Sequence, residues 1–167
     1  MISPGAMVVI VMGVSGSGKT TIGRLLAETL GWSFYEGDDL HPPANVRKMA
    51  AGIPLTDADR LPWLEALRAL IEHCLAAGEN AAVACSALKV SYREILAGGL
   101  EGVRFVHLTG SRDLIRDRLK QRQGHFMKAK MLDSQLAALE PPSHALEVDV
   151  AGSPEEIVAE IRRRLGI

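Results

Sequence analysis

The stretch Gly13-Val14-Ser15-Gly16-Ser17-Gly18-Lys19-Thr20 constrains the fold more than any other part of this chain. It matches the pattern G-x-x-x-x-G-K-[ST], and its flanks fit. Before it, Met7-Val8-Val9-Ile10-Val11-Met12 is an apolar, β-branched run that reads as a buried strand. After it, residues 21–30 carry apolar side chains at helical spacing. A helix that starts just after such a loop offers an anion several unpaired N–H groups and the positive end of its dipole. Glycines permit unusual dihedrals and let the backbone approach phosphate oxygens closely. Lys19 would add positive charge against the β- and γ-phosphates of a triphosphate, and the Thr20 hydroxyl would ligate Mg²⁺. The expected nucleotide contacts are Gly13, Ser15, Gly16, Ser17, Gly18, Lys19, Thr20 and Thr21.

The rest of the chain alternates strand and helix. Strands are expected at 33–36, 81–85, 103–108 and 146–150. Helices are expected near 44–51, from a cap at Asp57 or Asp59 to Gly78, near 91–97, over 111–123, over 130–139, and from Ser153 onward. In the helix after Asp57, Leu61, Leu64, Leu67, Leu70, Ile71, Cys74 and Leu75 fall on one face, and Pro62 fits a first turn. Apolar strands separated by helices imply an α/β fold: a five-stranded parallel sheet between two helical layers. Right-handed crossovers put every strand's C-terminal end on one edge, where ligands bind. Residues 7–167 read as a single domain, and residues 1–6 as a short flexible lead-in.

At 167 residues the chain can bury a full core without disulfides. A net charge of −1 supplies no global field for nucleic acid. Cys74 and Cys85 have no CxxC partner or nearby histidine cluster, so they read as buried thiols in a reducing, cytoplasmic compartment. No apolar run approaches a membrane span, and no basic leader precedes a hydrophobic stretch at the N-terminus.

Four further groups of residues converge on the expected ligand edge. Glu36 and Asp38 end the second strand and point the same way, which suits Glu36 to the metal side and Asp38 to accepting a hydroxyl proton; a capped, solvated turn is the plainer reading. Arg60 stands near a helix start, where the dipole disfavours a cation. A substrate carboxylate or hydroxyl holds it there, or an ion pair with Asp57 or Asp59 does. Ser86 and Lys89 follow the third strand as substrate donors, and no Walker-B aspartate stands there. Arg118 and Arg122 share one face of a basic helix leading into Gly124-His125-Phe126-Met127, which reads as a mobile lid at about 122–130. In that reading Arg122 brings charge over the phosphates and the lid excludes water.

Taken together, these segments resemble the gluconokinase family of small phosphate-loop kinases, in the company of shikimate and adenylate kinases. The resemblance rests on the glycine loop, Gly37-Asp38-Asp39-Leu40-His41-Pro42, Asn45 with Lys48-Met49, Gly52-Ile53-Pro54-Leu55, Asp59-Arg60 with Pro62-Trp63-Leu64, Cys85-Ser86-Ala87-Leu88-Lys89 with Tyr92-Arg93, and His125-Phe126-Met127 with Ser134-Gln135. It implies a three-layer kinase fold with a lid, often in a homodimer. It implies Mg²⁺-dependent transfer of the γ-phosphoryl group of ATP to the 6-hydroxyl of D-gluconate. It also implies Arg118 and Pro154 about the adenine, and His41, Arg60, Ser86, Lys89, Arg93, His125 and Gln135 about the acid, with Asp38. Glu36 stands where an aspartate is common, and Leu136 where an aromatic is frequent. The nearest rival is a kinase for another small acid or a nucleoside monophosphate. A non-catalytic nucleotide switch is the rival from another class, but the chain lacks the N-K-x-D of guanine recognition.

Overall fold

The computed structural model describes residues 5–121 and 125–167, and of these all side chains except those of 125–131. Five strands, β1 (Val8–Met12), β2 (Ser33–Glu36), β3 (Ala81–Ala84), β4 (Val103–Thr109) and β5 (Leu146–Asp149), form one parallel sheet in the order β2-β3-β1-β4-β5. Between and after them run α1 (Lys19–Leu30), α2 (Pro43–Ala50), α3 (Asp57–Ala76), α4 (Val90–Ala97), α5 (Arg112–Lys120), α6 (His125–Ala138) and α7 (Pro154–Leu165). The expected sheet, its direction and its two covered faces are all present.

β1 lies at the centre and every residue of it is buried. Alternate side chains point to opposite faces. Val8, Ile10 and Met12 pack with Leu64, Leu67 and Ile71 of α3 and Leu96 of α4. Val9 and Val11 pack with Ile22 and Leu26 of α1 and Ile157 and Ile161 of α7. Burial on both faces is the reason for the unbroken apolar run. Each large side chain so buried contributes about 1.5–3 kcal/mol. A third cluster at the C-terminal edge joins Val14 and Leu88, in the loops after β1 and β3, to Ile115 and Leu119 of α5 and Leu132 of α6. It fixes the loops that carry the site.

Three local expectations change. The cap of α3 is Thr56, not Asp57 or Asp59: its hydroxyl accepts from Asp59 N at 3.1 Å while Asp59 Oδ2 accepts from Thr56 N at 3.0 Å. This reciprocal box starts the helix early enough that Pro62 falls in its second turn. Leu61 is 45% exposed at the margin of the stripe, and Trp63 is buried instead. Finally, α6 begins at His125 and not near residue 130, because nothing in 125–130 breaks the helical spacing. Of the expected lid at 122–130, residues 122–124 lie outside the described residues and 125–130 belong to α6. Among the described residues, no helix is long and apolar enough to cross a membrane.

Candidate active site

The glycine loop folds under its own short hydrogen bonds. Ser17 donates to Val14 O through its hydroxyl at 2.7 Å and its amide at 3.2 Å. Lys19 Nζ donates to the same carbonyl at 3.0 Å, so its side chain lies back across the loop. Gly16 has φ 82°, and a Cβ there would sit 2.7 Å from Leu119 Cγ. The residue capping α1 is Gly18, in a left-handed conformation and with no side chain to cap the helix amides. No acidic residue stands in the first turn of α1. The start of the helix is thus polarised and carries no neutralising carboxylate of its own, which suits an external anion.

Beside the loop lies a cleft of about 260 Å³, lined by Gly16, Ser17, Gly18, Thr21, Ile22, Arg118, Gly152, Pro154 and Ile157. Arg118 is held there by donating from Nη2 to Val150 O, just past β5. Arg118 and Pro154, which the resemblance puts about an adenine, both line this cleft beside the glycine loop.

β2 supplies the other wall. Its last residue, Glu36, accepts from the Thr20 hydroxyl and, at 3.5 Å, from Asp38 N. The short 3-10 turn Gly37–Leu40 follows directly. Gly37 is required by a close approach: a Cβ there would lie 2.3 Å from Ala84 O of β3. The turn exposes the Asp38 carboxylate and buries the ring of His41, whose Nε2 is 4.0 Å from Asp38 Oδ1. His41 stacks on Trp63 with centroids 4.3 Å apart, and Trp63 Nε1 donates to Gly37 O at 2.8 Å. Asn45 Nδ2 donates to Asp59 O at 2.8 Å and lies 3.2 Å from His41 Nδ1. With Nδ1 as acceptor, the ring proton sits on Nε2, facing Asp38. Burial pushes the His41 pKa below its usual range, against the pull of Asp38 and together with the charge of Arg60. His41 is thus a neutral donor beside Asp38 near neutral pH.

Beyond His41 the charged residues join into a network. Lys89 Nζ contacts both Asp57 oxygens, at 3.0 and 3.3 Å. The Tyr92 hydroxyl donates to Asp57 Oδ1 and accepts from Arg60 Nη1 at 3.0 Å. Arg60 Nη1 stands 4.0 Å from Asp57 Oδ1, so the plainer reading of Arg60 is part of the truth. Lys48 pairs with Asp59 at 2.9 Å and holds its carboxyl down to about 2.

The chain matches the AAA domain family model over residues 8–142. A gluconokinase of Gluconobacter oxydans is 50% identical over 92% of this chain and 88% of its own length. Two solved structures resemble it closely: a gluconokinase from Sinorhizobium meliloti (45% identity, TM-score 0.79, covering 99% of this chain and 98% of that one) and an unliganded sugar kinase from Janibacter sp. (43% identity, TM-score 0.88, covering 97% and 95%). The chain belongs to the gluconokinase family.

The residues expected to serve a gluconokinase's substrate differ in what they meet in this structure. Arg93 is buried, and its guanidinium donates to Ala87 O and Glu140 O, each at 2.7 Å. In this structure it ties the loop after β3 to Glu140, just past α6. Glu140 adds to that tie through its own N–H to Leu88 O and its carboxylate to Val90 N. Gln135 Oε1 accepts from Ser15 N at 2.6 Å, so in this structure it braces the glycine loop. Ser86 sits against that loop too, its carbonyl accepting from Gly13 N at 3.4 Å. Arg122 and the side chain of His125 lie outside the described residues. Sequence reasoning treated Asp57 as a candidate helix cap or a plain ion-pair partner and gave Tyr92 no role; both bridge the cations of the site. The Asp57-x-Asp59-Arg60 spacing was the available signal.

For Mg²⁺, the fit rests on Thr20 and Glu36. Their oxygens meet, and both are hard donors suited to that ion. Among the described residues, no group of three or more histidine, cysteine or acidic side chains is arranged to hold a metal.

Proposed function

We propose that this chain transfers the γ-phosphoryl group of ATP to the 6-hydroxyl of D-gluconate, giving 6-phosphogluconate and ADP. The observation that carries the reading is a juxtaposition on one sheet edge. The uncapped, positively polarised start of α1 lies across the Thr20–Glu36 contact from Asp38 and its partner His41. Phosphate chemistry and hydroxyl chemistry thus have adjoining places. The names of the closely similar proteins support the acceptor.

In this reading the amides of Gly16, Gly18 and Lys19 and the Lys19 ammonium bind the β- and γ-phosphates. Arg118 and Pro154 flank the base in the 260 Å³ cleft. Asp38 accepts the proton of the 6-hydroxyl as the new O6–P bond forms and the bond from Pγ to the β–γ bridging oxygen breaks. His41 Nε2–H orients the Asp38 carboxylate or the hydroxyl itself. Catalysis here is positioning and charge stabilisation more than covalent chemistry. Thr20 and Glu36 would hold Mg²⁺, which when bound neutralises phosphate charge.

A steady-state screen of the purified chain with MgATP tests this. Gluconate is expected to give the highest kcat/KM among gluconate, shikimate and the nucleoside monophosphates. Turnover of one of the other acceptors without gluconate turnover rejects the reading.

A further inference from the structure

At the start of α3, two cations and a phenol surround a carboxylate. Asp57, at the start of α3, takes hydrogen bonds from Lys89 Nζ and from the Tyr92 hydroxyl, and Arg60 stands 4.0 Å away. Lys89 Nζ and the Arg60 guanidinium lie 5.6 and 5.7 Å from the centre of the Tyr92 ring. Tyr92 is buried, while the Asp57 side chain is 67% exposed. This cup therefore opens to solvent at its carboxylate. It also adjoins the hydroxyl-handling pair: Asn45 joins His41 Nδ1 to the carbonyl of Asp59, the residue before Arg60. Lys89 has three N–H donors and Arg60 five, so the bonds to Asp57 and Tyr92 leave both cations with donors for a second carboxylate. In formal charge, Lys89 and Arg60 supply two positives and Asp57 one negative, a surplus of one.

We infer that Asp57 is a specificity-setting residue of the acceptor site. It orients Lys89 and Tyr92 toward the carboxylate end of the acceptor and trims the charge of the cup to match a single carboxylate. The inference rests on the proposed acid-sugar reading and adds the end of the substrate that reading leaves open. An acceptor with its terminal hydroxyl at Asp38 then extends past His41 and lays its acid group beside Arg60 and Lys89. The plain alternative is that Asp57 only favours the start of α3 through the helix dipole. That role affects stability and has no bearing on the choice between a charged and a neutral acceptor.

The test compares gluconate with gluconamide, which keeps every hydroxyl and loses only the charge. The ratio of their kcat/KM values is measured for the wild type, Asp57→Asn and Lys89→Met, with thermal melts alongside. Asparagine still accepts from Lys89 and Tyr92 but carries no charge. The acid-to-amide ratio is expected to rise roughly threefold to tenfold in Asp57→Asn and to fall by a similar factor in Lys89→Met, the effect of one partly exposed charge at a few ångströms. Wild-type turnover of gluconate with a ratio unmoved in both variants, whatever their melting temperatures, overturns the inference alone. No wild-type turnover of either compound overturns the acceptor reading and this inference with it. Should Asp57→Asn fail to fold, Asp57→Ser, which also carries no charge, replaces it, and a ratio unmoved in the Asp57 variant alone is enough to overturn the inference.

Discussion

Replacing Arg93 with methionine separates a structural role from the substrate contact expected of it. The guanidinium makes two bonds of 2.7 Å, to Ala87 O and Glu140 O. Hydrogen bonds from a charged group contribute about 1.5–3 kcal/mol each, and a buried carbonyl left alone costs a comparable amount. Burial opposes the guanidinium charge, as the direction of its pKa shift records, so methionine recovers part of the loss. The net destabilisation is then about 2–4 kcal/mol. For a chain of this size that lowers the melting temperature by about 5–15 °C. Calorimetry gives the melting temperature, and steady-state kinetics well below it gives KM for gluconate. The structural role predicts the melting loss with a KM for gluconate within about threefold of wild type. An unchanged melting temperature with a KM raised tenfold or more refutes this reasoning and returns Arg93 to the substrate.

Other outcomes follow from the same geometry. Lys19→Ala is expected to abolish most phosphoryl transfer while leaving the circular dichroism spectrum and melting temperature near wild type, since the Lys19 bond to Val14 O is one of several that hold the loop. Asp38→Asn should lower kcat by two orders of magnitude or so and barely move nucleotide affinity, read by titration calorimetry; near-normal kcat would remove Asp38 as the base. Stability should fall as pH drops from about 7 to 5. Burial holds His41 and His107 below their ordinary 6.5, so the unfolded chain takes up protons first and is favoured as the pH falls through that window. Glu147, at 3.9 Å, pulls the His107 pKa up and the charge of Arg93 pushes it down. His107→Leu should flatten the pH dependence of the melting temperature, because His107 Nδ1 is buried without a hydrogen-bond partner among the described residues.

The sheet was readable in the sequence because burial on both faces leaves a continuous apolar signature, and β1 is buried along its whole length. The glycine loop was readable because the groups expected to meet phosphate follow one another in sequence, whereas its braces from Ser86 and Gln135 come from distant segments. The start of α3 was not. Thr56, Asp57 and Asp59 can all cap, and only the phase of the finished helix selects Thr56. The network around Asp57 was hidden for a different reason. Its partners come from the start of α3, the loop after β3 and α4, and the fold alone brings them together. A buried guanidinium and a ligand-binding one look alike in sequence, so the pair of backbone carbonyls that Arg93 meets, one of them just past α6, was not legible there.

The most direct measurement of the central claim is the position of the new phosphate ester. Gluconate, MgATP and the enzyme are incubated, and the product is analysed by phosphorus–proton correlation NMR. The account predicts one ester, on the C6 oxygen, formed in equal amount to ADP. Release of inorganic phosphate without an ester, or an ester on any other oxygen, would contradict the placement of Asp38 opposite the phosphate-binding start of α1.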